Sequence, residues 1–143
     1  MNALRQVLRR SLWVGVGGVA LLVTGCATAR PIPLTGAAQV PPVTTAATGT
    51  TDISINGYKS IFGTVRTSGV VGTAAHIHMG AVGKTGGVVI PLVKKDANTW
   101  VPPSNASVSD AALAAYNAGE LYVNVHSDAN KGGEIRAQLK PRP

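Results

Sequence analysis

The stretch "ELYVNVHSDANKGGEIRAQL", residues 120–139, contains two segments in which apolar and polar residues alternate. A period of two is typical of β-strands, in which successive side chains point to opposite faces of the sheet. A slip of one residue would turn one strand's apolar side chains to the wrong face, so the pattern predicts a single antiparallel register around a loop at 127–133. The predicted pairs are Val125 with Ile135, Val123 with Ala137, Leu121 with Leu139, His126 with Glu134, Asn124 with Arg136 and Tyr122 with Gln138.

The chain from Leu34 onward has the same character, being rich in Val, Ile, Thr and Gly with frequent turn residues. This composition predicts an antiparallel all-β domain. Asn56-Gly57 predicts a hairpin turn, with a return strand over about residues 58–66. Pro91, within the strand-like run "GGVVIPLV", predicts an edge strand or a bulge.

One helix is predicted near 108–118, inserted into the β domain. The segment "SVSDAALAAYNAG" has alanines in its interior and Gly119 at the position of a C-terminal stop. Ser107 and Asp110 have the spacing of a capping box, with Asp in place of Glu, and predict where the helix begins.

The first 25 residues have a different composition from the β domain. Three arginines (Arg5, Arg9 and Arg10) precede the uncharged run "SLWVGVGGVALLVTG", which is shorter than the ~20 residues of a membrane-spanning helix. This is the pattern of a signal peptide. Val23-Thr24-Gly25-Cys26 resembles a bacterial lipobox, which implies cleavage before Cys26, the chain's only cysteine, and its acylation, for example with palmitate. The alternative is an ordinary signal peptide followed by a chance cysteine.

These features predict three regions: a lipoprotein signal peptide at 1–25, the lipidated Cys26 with a tether at 26–33, and a domain at 34–140. Several acyl chains, each buried CH₂ contributing ~0.8 kcal/mol, would hold the protein on a membrane. The expected location is the cell envelope, and the outer membrane where the host has one. Without the three arginines the net charge falls from +7 to +4. No basic run is longer than Lys94-Lys95, so nucleic acid is not an expected partner.

His76 and His78 lie one residue apart in "AAHIHMG" and share a strand face, with Cα atoms roughly 6.6 to 6.8 Å apart. Two imidazoles at that spacing can reach one ion. His126 is the only other histidine of the chain and the candidate third ligand. Glu134, opposite His126, is a candidate fourth ligand or a carboxylate that orients this histidine. Such a donor set suits copper or zinc.

The alternative interpretation places the three histidines in polar hydrogen-bond networks, with His126 bonded to Glu134. Glu134 and Arg136, on one strand face, predict a structural ion pair or network. Tyr122 and Asn124 are expected at the surface or in support of the site.

Three blocks of the sequence, in this order, resemble the chordin-type CHRD domain: "LTGAAQVPPVTTAATGT", "AAHIHMGAVGKTGGVVIPL" and "LYVNVHSDANKGGEIRAQL". In animals such domains belong to secreted chordin, and in bacteria to exported proteins of mostly unassigned role. The resemblance implies an extracytoplasmic binding module with an antiparallel Greek-key β-sandwich fold, immunoglobulin-like or superoxide-dismutase-like. The His-x-His strand beside a glycine-rich loop is similar to copper/zinc superoxide dismutase, but that enzyme's two-metal site needs about twice the three histidines present here.

Three functional hypotheses follow from the sequence. The first is a lipid-anchored binding module that holds one copper or zinc ion on His76, His78 and His126. The second is a non-metal adhesion or scaffolding protein that binds an envelope protein or polymer. The third is a mononuclear copper redox protein. A binding role is favoured over an enzymatic one, because no nucleophile elbow or pair of carboxylates suited to glycoside cleavage is evident.

Overall fold

The computed structural model of the chain describes residues 30–141, which form an antiparallel all-β sandwich with one short helix. The regular elements, in chain order, are β1 (Ile32–Thr35), β2 (Thr48–Thr51), β3 (Ser54–Ile55), β4 (Ile61–Phe62), β5 (Val65–Ser68), β6 (Ala74–Met79), β7 (Val88–Pro91), β8 (Val93–Asp96), β9 (Thr99–Val101), α1 (Asp110–Asn117), β10 (Leu121–His126) and β11 (Ile135–Gln138). The predicted signal peptide and Cys26 lie outside the described residues.

Nine of these strands form one sheet, in the order β7-β6-β10-β11-β1-β2-β5-β9-β8, and β3 and β4 form a separate pair. Strands β7 and β8 stand at opposite ends of that order, yet only Leu92 separates them in the chain. The sheet therefore curls until its two ends meet and is nearly closed. The Leu92 amide extends the ladder of β7 with β6 by donating to the carbonyl of Ala75, and across the junction Lys94 Nζ of β8 donates to the carbonyl of Gly72.

The inner surface of the curled sheet is the hydrophobic core. Its fully buried side chains come from strands throughout the sheet and include Leu34, Val65, Ile77, Leu121, Val123, Val125, Ile135 and Leu139. The helix adds Tyr116, whose hydroxyl donates to the carbonyl of Lys140. No helix within residues 30–141 has the length and apolar character to cross a membrane.

The predicted register of the last hairpin is confirmed. Strands β10 and β11 pair Tyr122 with Gln138, Val123 with Ala137, Asn124 with Arg136 and Val125 with Ile135. The edge position predicted from Pro91 is also confirmed, because β7 is an outer strand of the large sheet.

The hairpin predicted at Asn56-Gly57 is present, but the predicted length of its turn and the predicted extent of its return strand were wrong. Ile55 pairs with Ile61, so five residues rather than two connect the strands. The Asn56 side chain accepts hydrogen bonds from the amides of Tyr58 and Ser60, and Lys59 takes the positive φ of 68°. The return segment is split, because β4 pairs with β3 whereas β5 joins the large sheet.

The helix is confirmed within the predicted interval, at Asp110–Asn117, but the predicted cap was wrong. Ser109, not Ser107, is the N-cap, and its hydroxyl accepts from the amide of Ala112. Ser107 instead forms an isolated β-bridge with Ser60. Ser107, which the capping-box spacing predicted as the N-cap, is therefore used in a tertiary β-bridge instead.

Candidate metal centre

The three histidines of the chain lie together on one face of two neighbouring strands. His76 and His78 are on β6, and His126 is at the end of β10, which pairs antiparallel with β6. One nitrogen from each imidazole can be chosen so that the three atoms all lie within 4.8 Å of one another. Two bonds of roughly 2.0 to 2.1 Å to one ion reach across at most about 4.2 Å, so the rings need only small rotations to bring all three nitrogens onto one ion. The structure thus brings together all three predicted imidazoles.

His78 is held in place from two sides. Its Nδ1 lies 2.9 Å from the carbonyl oxygen of Gly86, which can only accept, so Nδ1 carries the proton. Its ring stacks on Tyr122 with centroids 4.8 Å apart and planes 4° from parallel. The other nitrogen, Nε2, is buried and has no hydrogen-bond partner. His78 therefore presents a bare lone pair at Nε2.

The loop at 80–87 supplies the carbonyl that orients His78. A Cβ on Gly86 would stand 1.5 Å from the carbonyl oxygen of Met79, so only glycine allows this close approach of loop and strand. The Gly86 amide donates to the hydroxyl of Tyr122, which ties the same loop to the stacked ring.

His126 is oriented in the same manner by the loop at 127–133. Its Nδ1 lies 2.8 Å from the carbonyl oxygen of Lys131, which again places the proton on Nδ1. Its Nε2 therefore accepts from Nδ1 of His76 at 3.0 Å. A backbone carbonyl on the far nitrogen is one of the usual partners of a metal-ligating histidine. For an ion to replace the hydrogen bond between His76 and His126, the proton of neutral His76 would move from Nδ1 to Nε2, which frees Nδ1 as a ligand.

The surroundings favour the neutral imidazoles that metals bind. Burial, followed by the neighbouring His126 and His78, lowers the pKa of His76 below its ordinary value of 6.5. Burial is also the largest cause that lowers the pKa of His78. His126 and Arg136 assist it, whereas the hydrogen bonds of the charged ring to Gly86 and to the Asn124 side chain oppose it. Both rings are therefore neutral at pH 7 without an ion.

Glu134 does not join the histidines, contrary to the prediction. Its carboxylate accepts from the hydroxyls of Thr45 at 2.6 Å and Ser127 at 2.5 Å. These bonds, that of Ser127 first, lower its pKa below 4.5. Strand β11 begins at Ile135, so alternation no longer fixes the direction of the side chain before it. The carbonyl of Lys131 takes the orienting role that was predicted for Glu134.

The ion pair predicted between Glu134 and Arg136 is likewise absent from the described residues, where the salt bridge found joins Lys59 and Asp110. Arg136, only 2% exposed, instead donates to the carbonyls of Lys84 and Ala81 and to the side chain of Gln138. Its guanidinium carbon lies 3.5 Å from the centroid of the Tyr122 ring. Arg136, Tyr122 and His78 thus form a continuous stack that ends at the histidine cluster.

Sequence reasoning underestimated Tyr122 and Asn124, each only 3% exposed. Tyr122 lies opposite His78 and Asn124 opposite His76 in the pairing of β10 with β6. The polar alternation predicted an outward face but could not show that loops cover it. The available signal was the glycine content of the flanking loops at 80–87 and 127–133, because glycine permits close loop-to-sheet contact.

The curled antiparallel sheet defines an all-β sandwich, and the loops at 80–87 and 127–133 cover the polar face of β6 and β10. The family model of the CHRD domain matches residues 31–139. The chain therefore belongs to the CHRD domain family, which supports its role as a binding module. No curated protein and no solved structure is significantly similar to the chain.

Proposed function

We propose that this protein is a lipid-anchored binding module of the cell envelope that holds one copper or zinc ion on His76, His78 and His126. The observation that carries the proposal is the convergence of three imidazole nitrogens within 4.8 Å, together with the buried, unpartnered Nε2 of His78. Among the described residues no group donates to this nitrogen of the neutral ring. An unsatisfied buried polar atom costs roughly 1–3 kcal/mol, which a bound ion relieves.

The donor set limits the choice of metal. Imidazole nitrogens suit copper and zinc, whereas magnesium and calcium prefer oxygen-rich sites. The only cysteine is at position 26, in the proposed anchor. His76 and His126 are half-buried, so an ion can reach the cluster from solvent.

The metal is tested on the full chain purified in detergent, by metal analysis and by competition against chelators of known affinity. We expect one Cu(II) or Zn(II) per chain with a Kd below about 1 μM. His76→Ala and His126→Ala should each weaken binding by at least about 100-fold, more than the 10–100-fold lost when an outer partner is changed.

Met79→Ala is the matched control, because this side chain is on β6, exposed, and follows His78 directly. It should leave the affinity unchanged. The chain contains no histidine outside the cluster, so any imidazole coupling in the Cu(II) resonance spectrum reports on this site. Absence of saturable binding below about 1 μM in the wild-type protein would end the metal proposal.

The anchor is supported by the lipobox-like residues before Cys26 and by the basic and apolar segments ahead of them. It is tested separately by metabolic labelling with a palmitate analogue and by membrane fractionation. The wild-type protein should incorporate the label and sediment with membranes, and Cys26→Ser should do neither. Equal sedimentation of the two forms would contradict lipidation at this residue.

A second candidate function, adhesion to an envelope protein or polymer without a metal, is favoured by one observation. Tyr58 and Phe62 belong to the β3–β4 hairpin and are 86% and 54% exposed. Exposed aromatic side chains are enriched in protein interfaces. If this function is the physiological one, Tyr58→Ser with Phe62→Ser abolishes rescue of a deletion phenotype, whereas replacing all three histidines preserves it.

A further inference from the structure

Asn124 stands at the middle of the covered polar face. It is on β10, between His76 on β6 and Arg136 on β11 in the pairing of the three strands. His126 is two residues further along the same strand and projects from the same face. At 3% exposure, Asn124 is among the most buried polar side chains in residues 30–141. A buried amide at this position needs partners for its oxygen as well as its nitrogen.

One edge of this amide is held by the backbone of the loop at 127–133. Nδ2 donates to the carbonyl of Gly132 over a long 3.5 Å. Gly133, at φ 120°, packs so closely that a Cβ there would be 2.7 Å from Nδ2. Turning the amide over would place its oxygen against the Gly132 carbonyl, acceptor against acceptor. The loop therefore fixes which end of the amide faces the glycines.

The other edge has no partner. The Asn124 Oδ1 atom is buried and makes no hydrogen bond, and the same is true of His78 Nε2. Burial lowers the pKa of His78, and a hydrogen bond that the Asn124 side chain accepts from the charged ring opposes that shift, so Oδ1 lies beside the His78 ring and lacks a donor only when the ring is neutral. Both bare atoms are acceptors, because Nδ1 of His78 carries that ring's proton. What satisfies them must be a proton donor or a cation.

We propose that Oδ1 of Asn124 is the fourth ligand of the metal, completing a site of three imidazole nitrogens and one amide oxygen for divalent copper or zinc. This inference rests on the proposed function and deepens it. Four ligands are the number that zinc adopts in closed structural sites. An oxygen in the set favours Zn(II) or Cu(II) over Cu(I), which prefers thiolate and thioether sulfur. With four protein ligands the site holds an ion and leaves no open coordination position for a substrate.

The test compares Asn124→Leu, which keeps the approximate shape but removes the oxygen, with Asn124→Asp, which keeps an oxygen. In the full chain, Asn124→Leu should weaken Cu(II) and Zn(II) binding by at least about 100-fold, more than the 10–100-fold lost when an outer partner is changed, and should alter the Cu(II) paramagnetic resonance spectrum. Asn124→Asp should bind at least as tightly as the wild type. Asn117→Leu, on the exposed end of α1, is the matched control and should change neither.

A second measurement needs no variant. In the ¹⁵N-labelled wild-type protein, Zn(II) titration should shift the side-chain amide resonance of Asn124 more than that of any other asparagine. This shift tests the fourth ligand even if Asn124→Leu fails to fold. Wild-type affinity and spectrum in Asn124→Leu, or an unmoved Asn124 amide, would overturn the fourth ligand and leave the three-histidine site intact. No saturable binding by the wild type would overturn the proposed function itself.

Discussion

The two faces of strands β6 and β10 are both buried, but they are buried in different ways. On the inner face Ile77, Val123 and Val125 are fully enclosed and have no polar atom to satisfy. On the outer face His78, Tyr122 and Asn124 are nearly as buried, beneath the loops at 80–87 and 127–133. Apolar packing alone stabilises the inner face. The outer face requires a partner for each polar atom, and the atoms that lack one mark the proposed site.

The largest expected effect comes from breaking the inner face without touching the outer one. Ile77 lies between the two histidines of β6 but points into the core. Ile77→Ala should lower the free energy of unfolding by about 2–5 kcal/mol, because it removes buried contacts and leaves a cavity. Urea denaturation with a chelator present measures this loss. A change below about 0.5 kcal/mol, the usual range of surface substitutions, would show that the core does not depend on this face.

The next largest effect comes from the stack on the outer face. Arg136→Lys should cost about 2 kcal/mol of unfolding free energy, since an ammonium cannot serve the carbonyls of Ala81 and Lys84 together or stack on Tyr122. Arg66→Lys, at an exposed position, is the matched control and should change stability by less than about 0.5 kcal/mol. Equal effects of the two substitutions in urea denaturation would contradict the role given to the stack.

A smaller effect is expected at Glu134. Glu134→Gln should lower the free energy of unfolding at pH 7 by about 1 kcal/mol, because the hydroxyls of Ser127 and Thr45 lose a charged acceptor. The folded pKa of Glu134 is lowered from 4.5, so the stabilisation is complete above that pH and is lost as the pH falls through the folded pKa. The difference between variant and wild type should therefore shrink in acid. A difference that persists unchanged at low pH would argue against these bonds.

The smallest expected effect is the pH dependence of the metal-free protein. Burial lowers the pKa of both His76 and His78 in the folded state, so the unfolded chain binds more protons below pH 6.5. Stability should be fully retained above that value and decline as the pH falls from 6.5 through the folded pKa values. Urea midpoints measured with EDTA from pH 7.5 to 5 test this. The double variant His76→Gln, His78→Gln should show a flatter decline of stability with falling pH. An equally steep decline in that variant would show that other groups cause it.

The regular parts of the fold were predictable because their sequence patterns lie within one strand or helix, or between two strands that are neighbours in the chain. The β10–β11 register followed from alternation alone, and its observed pairs match. The turn after Asn56 was mispredicted because the asparagine side chain accepts hydrogen bonds from two backbone amides, those of Tyr58 and Ser60. These bonds stabilise a five-residue loop in place of a two-residue turn. Local spacing could not tell Ser107 from Ser109, since the bridge between Ser107 and Ser60 joins residues far apart in sequence.

The candidate site was predictable in its members but not in its surroundings. The chain has only three histidines, so any cluster of three imidazoles had to contain them all. That β6 lies beside β10 does not follow from either strand's sequence, because both would pair equally well with other alternating strands. Glu134 was wrongly included because strand alternation was extended one residue beyond the start of β11.

The sequence by itself determined which faces of the strands are apolar and which three imidazoles are available. Alternation and composition encode these directly. Only the tertiary structure decided that the polar face is covered, that backbone carbonyls of Gly86 and Lys131 orient two of the histidines, and that Asn124 is buried among them. Those relations depend on loops closing over a sheet whose neighbouring strands are distant in the chain. Their geometry arises from packing, which a strand's own pattern does not specify.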